Sequence, residues 1–99
     1  MATLYVTEYQ GLSTAYNDTA QAVPGTPVAI QTVAISGAAA SSAPFNANTT
    51  LVRLHTDSIC SFTMGSAPVA TTSCPRMAAN QTEYFGVRPG QTVSVIANT

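Results

Sequence analysis

Two neighbouring stretches alternate with the period of a β-strand, and that period constrains the fold more than any other feature of the chain. In TLVRLHT at 50–56, Leu51, Arg53 and His55 share one parity, opposite Val52 and Leu54. In SICSFTM at 58–64, Cys60, Phe62 and Met64 alternate with polar neighbours. Successive side chains of a strand point to opposite faces, so each stretch reads as a strand with one wet face. Asp57-Ser58 supplies the short turn between them.

The rest of the chain repeats this punctuated pattern. TLYVTEY at 3–9 sets Leu4 and Val6 against Tyr5, Thr7 and Tyr9. Tyr5, Tyr9, Leu12 and Tyr16 also stand at helical spacing, but Thr3, Val6, Thr7 and Gly11 weaken a helix and no capping box precedes it. A strand followed by an irregular arm is the better reading. GLSTAYNDTAQAVPGT at 11–26 is rich in turn formers and ends in a Pro24-Gly25 turn pair. PVAIQTVAI at 27–35 is apolar and β-branched without clean alternation, which predicts a strand partly covered on both faces. SGAAASSAPFNAN at 36–48 is a loop of small residues that Phe45, its single large side chain, anchors. Gly65 to Pro68 marks a turn, Val69 to Ser73 a further short strand, and Pro75 its end. EYFGVR at 83–88 and QTVSVIA at 91–97 flank Pro89-Gly90, which predicts a hairpin with a tight turn.

Five to eight short strands without an amphipathic helix predict an all-β fold. The expected form is a small antiparallel sandwich or barrel, jelly-roll-like, with a loop-rich N-terminal arm. A chain of 99 residues suits a single β domain over 1–99, with a strand plus extended arm at 1–27 and a β core at 27–99.

Charge is sparse. The charged side chains are Glu8, Asp18, Arg53, Asp57, Arg76, Glu83 and Arg88, 7% of the chain, where ordinary domains carry about 25%. Spread over a folded surface of about 5,300 Å², that is one charge per ~760 Å². Such a surface is expected where much of it ends in protein contacts, although Thr, Ser, Asn and Gln also solvate it. There is no lysine and the formal net charge is -1, so the basic stripe that nucleic-acid binding requires is missing. The long charge-free stretch from Asp18 to Arg53 is broken by Pro24, Gly25, Pro27, Gly37 and Pro44, which makes it no membrane span. MATLYVTEYQ has neither a basic nor an apolar leader region, so the expectation is a product made in the cytoplasm. There, Cys60 and Cys74 are expected as small buried thiols.

Reactive constellations are weak. His55, Asp57 and Ser58 have the residue types of a hydrolytic triad, but on one strand adjacent side chains diverge and cannot form the relay. His55, Asp57, Cys60 and Cys74 lack metal-ligand spacing. No carboxylate spacing suggests a glycosidase, and without lysine there is no P-loop cation or Schiff base. The expectation is a non-enzyme with no cofactor and no metal. Tyr5, Tyr9, Tyr16 and Tyr84 with Phe85 could form a sugar- or partner-binding platform or serve the core. Arg53, Arg76 and Arg88 suit pairing across an interface or intramolecular pairing with Asp57 or Glu83.

Several phrases carry a resemblance. They are VRLHTD at 52–57, the Gly65-to-Pro68 turn after a Cys/Phe strand, Arg76-Met77-Ala78-Ala79-Asn80, and EYFGVRPGQ at 83–91 leading into VSVI. AQAVPGTPVAIQTVAISG at 20–37 adds a weaker match. In these the chain resembles the small head-decoration, or cement, proteins of tailed bacteriophages, over most of its length but not the N-terminal arm. The resemblance implies a jelly-roll-like fold and a virion location on the outer surface of the head. It implies attachment to an icosahedral shell of HK97-fold major capsid protein, reinforcing the shell against DNA pressure. The partners it implies are the major capsid protein and further copies of the chain, as a dimer or trimer on a local symmetry axis. Capsid or intersubunit contacts are expected from Tyr5, Tyr9, Tyr16, Phe45, Arg53 and Arg88, with segments 1–27 and 36–48 making most contacts and strands from 50 to 97 forming the core. The alternatives are a carbohydrate-binding or host-attachment β module, or a head-fibre or tail structural protein.

Overall fold

The computed structural model describes residues 2–10, 12–15, 18–24 and 27–98, the two middle stretches through their backbone. These residues form strands and no helix: β1 (Thr3–Tyr9), β2 (Leu12–Ala15), β3 (Asp18–Pro24), β4 (Ala29–Ala34), β5 (Ala40–Ser41), β6 (Leu51–Thr56), β7 (Cys60–Gly65), β8 (Arg76–Met77), β9 (Thr82–Gly86) and β10 (Thr92–Ala97). Sheet I has the order β4-β1-β6-β9, and sheet II the order β5-β10-β7-β8. Every pairing is antiparallel. β2 and β3 pair only with each other.

From β4 to β10 the chain changes sheet at every step except β7 to β8. That is the winding of a jelly roll. The remaining place, between β4 and β6 in sheet I, is taken by β1 from the other end of the chain. The fold is thus an all-β sandwich in which the strand that would follow β10 comes first. The two ends of this fold meet on consecutive residues: Ile35 N donates to Ala2 O at 3.1 Å, and Ala97 N donates to Ser36 O at 2.8 Å.

The core explains the alternation. Leu4 and Val6 of β1, Val33 of β4 and Val52 and Leu54 of β6 face Cys60 and Phe62 of β7 and Val93 and Val95 of β10, joined by Ile35, Phe45 and Met77. Phe62 and Phe85 pack with ring centroids 5.2 Å apart and planes tilted by 55°. Strands 50–97 therefore do not make the core alone, as the sequence suggested. Residues 3–9 form a central strand whose inner stripe of Leu4, Val6 and Glu8 is buried, so the early part of the chain is structural before it is an arm.

A polar cluster completes this interior. Glu8, 2% exposed, accepts hydrogen bonds from Asn46 N at 2.8 Å, Thr49 Oγ1 at 2.8 Å and Gln31 Nε2 at 3.0 Å. Gln31 is itself fixed to the backbone of Ala43, accepting from its N at 2.8 Å and donating to its O at 3.2 Å. A buried carboxylate without a cation survives only when its lone pairs are satisfied, and here they tie β1 and β4 to the loop after β5.

Three local expectations are corrected. The Pro89-Gly90 turn forms, with Gly90 at φ 84° and Gln91 N donating to Arg88 O at 3.2 Å, as a type II turn requires. Its flanking strands are not a hairpin, however, because β9 pairs with β6 in sheet I and β10 with β7 in sheet II. The turn backbone is engaged instead by Phe45, whose N donates to Gln91 O at 2.8 Å and whose O accepts from Gly90 N at 3.1 Å. Val69 to Ser73 is a loop, not a strand: Ala70 N donates to Ser94 Oγ at 2.9 Å and the segment lies over sheet II. β4 is covered on one face only, its blurred alternation coming from Ile30 and Ala34, which point outward.

Candidate functional site

The two outer faces of the sandwich differ. On sheet II, Ser61 and Ser94 point away from the core yet are buried, because the loop 66–75 and Asn98 lie over them. Asn98 Nδ2 donates to Ser61 Oγ at 2.7 Å and to Thr72 O at 3.2 Å. On sheet I, among the described residues, no comparable loop covers the outward side chains. Among the described residues, the exposed large apolar side chains are Tyr5 (42%), Ile30 (70%), Tyr84 (49%) and Val69, and the first three all lie on this one face.

Register fixes their arrangement. One row across the sheet reads Ile30, Thr7, Arg53, Tyr84, and the next reads Thr32, Tyr5, His55, Thr82. Tyr9 sits one row further, opposite Leu51. Cross-strand neighbours stand about 5 Å apart and diagonal ones ~7–8 Å, so Arg53 is flanked directly by Tyr84 and diagonally by Tyr5. His55 Nδ1 lies 2.7 Å from Thr82 Oγ1, and its ring packs on Tyr5 with centroids 6.2 Å apart.

Among its described residues the face holds one guanidinium, that of Arg53, and no acid. Asp57 is turned to the end of the sheet, where Oδ1 accepts from Thr3 N at 2.7 Å, and Glu83 points inward and accepts from Gln81 Nε2. Both carboxylates that sequence proximity offered to Arg53 are thus occupied elsewhere. Asp57 also makes no relay with His55, whose imidazole bonds to Thr82 instead. Among the described residues, no three His, Cys, Asp or Glu side chains cluster as metal ligands do.

The expected contact residues divide accordingly. Tyr5, Tyr9 and Arg53 come together on the open face. Arg88 is exposed in the type II turn at the far end of β9, where its backbone N donates to Gln91 Oε1 at 3.0 Å. Phe45, 3% exposed, belongs to the interior, because the loop it anchors folds over the sandwich edge, so its ring is withdrawn from any contact surface. Tyr16 lies outside the described residues. His55 joins the face as the exposed or interface histidine its strand suggested, and Ile30 and Thr82 join it without having been expected there. Parity of TLVRLHT already placed His55 beside Arg53, but Ile30 and Thr82 arrive through long-range register.

The cysteines are free thiols in unlike settings. Burial pushes the Cys60 thiol up, against a weaker opposing hydrogen bond to Thr56. Cys74, in the loop over sheet II, is held below the ordinary thiol range by Thr71, whose backbone N donates to Sγ at 3.4 Å and whose hydroxyl lies at 3.6 Å.

Compared with protein-family models, curated proteins and solved structures, the chain matches none of them.

Proposed function

We propose that this chain is a structural virion protein that binds the outer surface of an HK97-fold icosahedral capsid and stabilises it by bridging neighbouring major capsid subunits. The observation that carries the reading is the unequal dressing of the sandwich: one outer face closed by its own loop, the other left open with Tyr5, Ile30 and Tyr84 around a lone guanidinium. The phrase resemblance in the sequence supplies the kind of partner. Rows about 6.8 Å apart on strands ~4.8 Å apart make the open face on the order of 300 Å². A stable pairwise complex needs about 800 Å² from each partner, so a single face binds weakly. Weak sites suffice on a closed lattice, where each copy engages more than one subunit and effective concentration multiplies the contacts. Further copies of the chain, as a dimer or trimer on a local symmetry axis, fit the same logic.

Quantitative mass spectrometry of purified virions tests this. A copy ratio to the major capsid protein near one, or a simple fraction of it, is expected. A handful of copies moves the chain to a tail, vertex or head fibre, and absence from virions overturns the reading. Exposed tyrosines beside a histidine on a flat sheet also favour, as a second reading, a carbohydrate-binding or host-attachment module. Selective signals on a glycan array without capsid binding would establish that one.

A further inference from the structure

We infer that the open face of sheet I receives an acidic segment of a protein partner, with a carboxylate seated on Arg53 between Tyr84 and Tyr5. This rests on the capsid reading above and names the chemistry by which that surface is recognised. Any partner that closes over Ile30, Thr7, Arg53 and Tyr84 removes the guanidinium from water, and a charge so buried must be paired. Among the described residues, this chain supplies no pairing group there. The outward residues of the four strands are Thr3, Tyr5, Thr7 and Tyr9; Ile30, Thr32 and Ala34; Leu51, Arg53 and His55; and Thr82, Tyr84 and Gly86, with no acid among them. The carboxylates of Asp57 and Glu83 are committed to Thr3 N and Gln81. The partner must therefore bring the anion, and a carboxylate matches the planar fork of arginine.

The same inventory excludes other occupants. A second copy docked face to face about a twofold axis presents the same outward residues, none of them acidic, so neither Arg53 would meet a carboxylate and self-association must use another surface. Nucleic acid needs many phosphate contacts, and the face has one permanent cation.

The test is co-sedimentation of the purified chain with shells assembled from the major capsid protein of the phage that carries it, from 50 to 500 mM NaCl. Wild type is expected to bind and to weaken as salt rises. Arg53→Gln should lose about tenfold in apparent affinity together with most of the salt dependence, and Arg53→Glu should lose ~30-fold or more. Tyr84→Thr, which exchanges one good strand former for another, should weaken binding with the salt dependence intact. Thermal melting of each variant identifies any that is unfolded, and Arg53→Gln, which changes an outward side chain without reversing its charge, serves if Arg53→Glu fails to fold. Wild-type binding that Arg53→Gln leaves unchanged overturns the inference while the capsid reading stands. A wild type that does not bind the shells overturns both.

Discussion

Removing the Glu8 carboxylate should be the most costly single change in this chain outside its apolar core. Glu8, itself almost fully buried, accepts from Asn46 N, the buried Thr49 Oγ1 and Gln31 Nε2. In Glu8→Ala all three donors lose their partner, and with hydrogen bonds to a charged group worth about 1.5–3 kcal/mol each, partly regained where water can reach the donor, the loss is on the order of 3–5 kcal/mol. Glu8→Gln is more informative because its shape is nearly unchanged. If the amide oxygen faces Asn46 and Thr49, the new NH₂ opposes Gln31 Nε2; if the amide is rotated, it opposes Asn46 N. Gln31 cannot turn to compensate, since both ends of its amide are fixed by Ala43. One donor-donor conflict plus the loss of charge assistance costs ~2 kcal/mol, less whatever is regained by not burying a charge. A domain of this size loses roughly 4–8 °C in Tm per kcal/mol, so Glu8→Gln should fall by about 8–16 °C and Glu8→Ala by more. Thermal unfolding followed by circular dichroism measures both, and hydrogen exchange at the Asn46 amide locates the effect. A Glu8→Ala protein within about 1 kcal/mol of wild type, with Asn46 still protected, would refute the view that this carboxylate holds the loop to the sheets.

Other consequences are simpler. A maleimide should label Cys74 first and Cys60 only after unfolding, because Cys60 is fully buried with a raised thiol pKa. As the Cys74 thiol is lowered by Thr71, its labelling rate should rise at a lower pH than that of an unstructured cysteine, and the order of labelling can be read by mass spectrometry of native and denatured chain. Gly90→Ala should cost ~1–2 kcal/mol, read as a lower Tm, since φ 84° strains any L side chain even though a Cβ there meets nothing.

What the sequence revealed follows the range of the interactions involved. The inner stripes of β1, β6 and β7 were legible because period-2 alternation is local, and the same parity put Tyr5 with Tyr9 and Arg53 with His55. The type II turn at Pro89-Gly90 was legible for the same reason, as two residues determine it. That β9 and β10 part into different sheets was not, because this depends on β6 and β7 having already claimed them as neighbours. Nor could parity alone show that Ile30, Thr7, Arg53 and Tyr84 form one row, since four segments from across the chain must be aligned to place them there. Phe45 illustrates the limit in another way: an isolated aromatic in a loop of small residues suits an anchor and a contact equally well, and only burial distinguishes them.

The position of β1 decides how the role of the early chain can be tested. Deleting residues 1–10 would remove a central strand carrying Leu4, Val6 and Glu8, so any loss of capsid occupancy would report unfolding and not lost contacts. A circular permutant avoids this. Ala2 and Ala97 are bonded to the consecutive residues Ile35 and Ser36, and at about 3.5 Å per residue a linker of roughly four to six residues closes the gap. Opening the chain on either side of 11–26 then gives a protein that begins at Pro27 and ends at Gln10, with β1 following β10 as jelly-roll winding would have it and β2 and β3 removed. Because β2 and β3 pair only with each other, this permutant is expected to keep the β-sheet spectrum and a cooperative melt. An unfolded permutant would show that the sandwich depends on 11–26 or on β1 forming early. A folded permutant makes the next comparison clean: if it binds shells as the parent does, the open face of sheet I carries the interaction, and if it does not, the excised segment supplies contacts of its own.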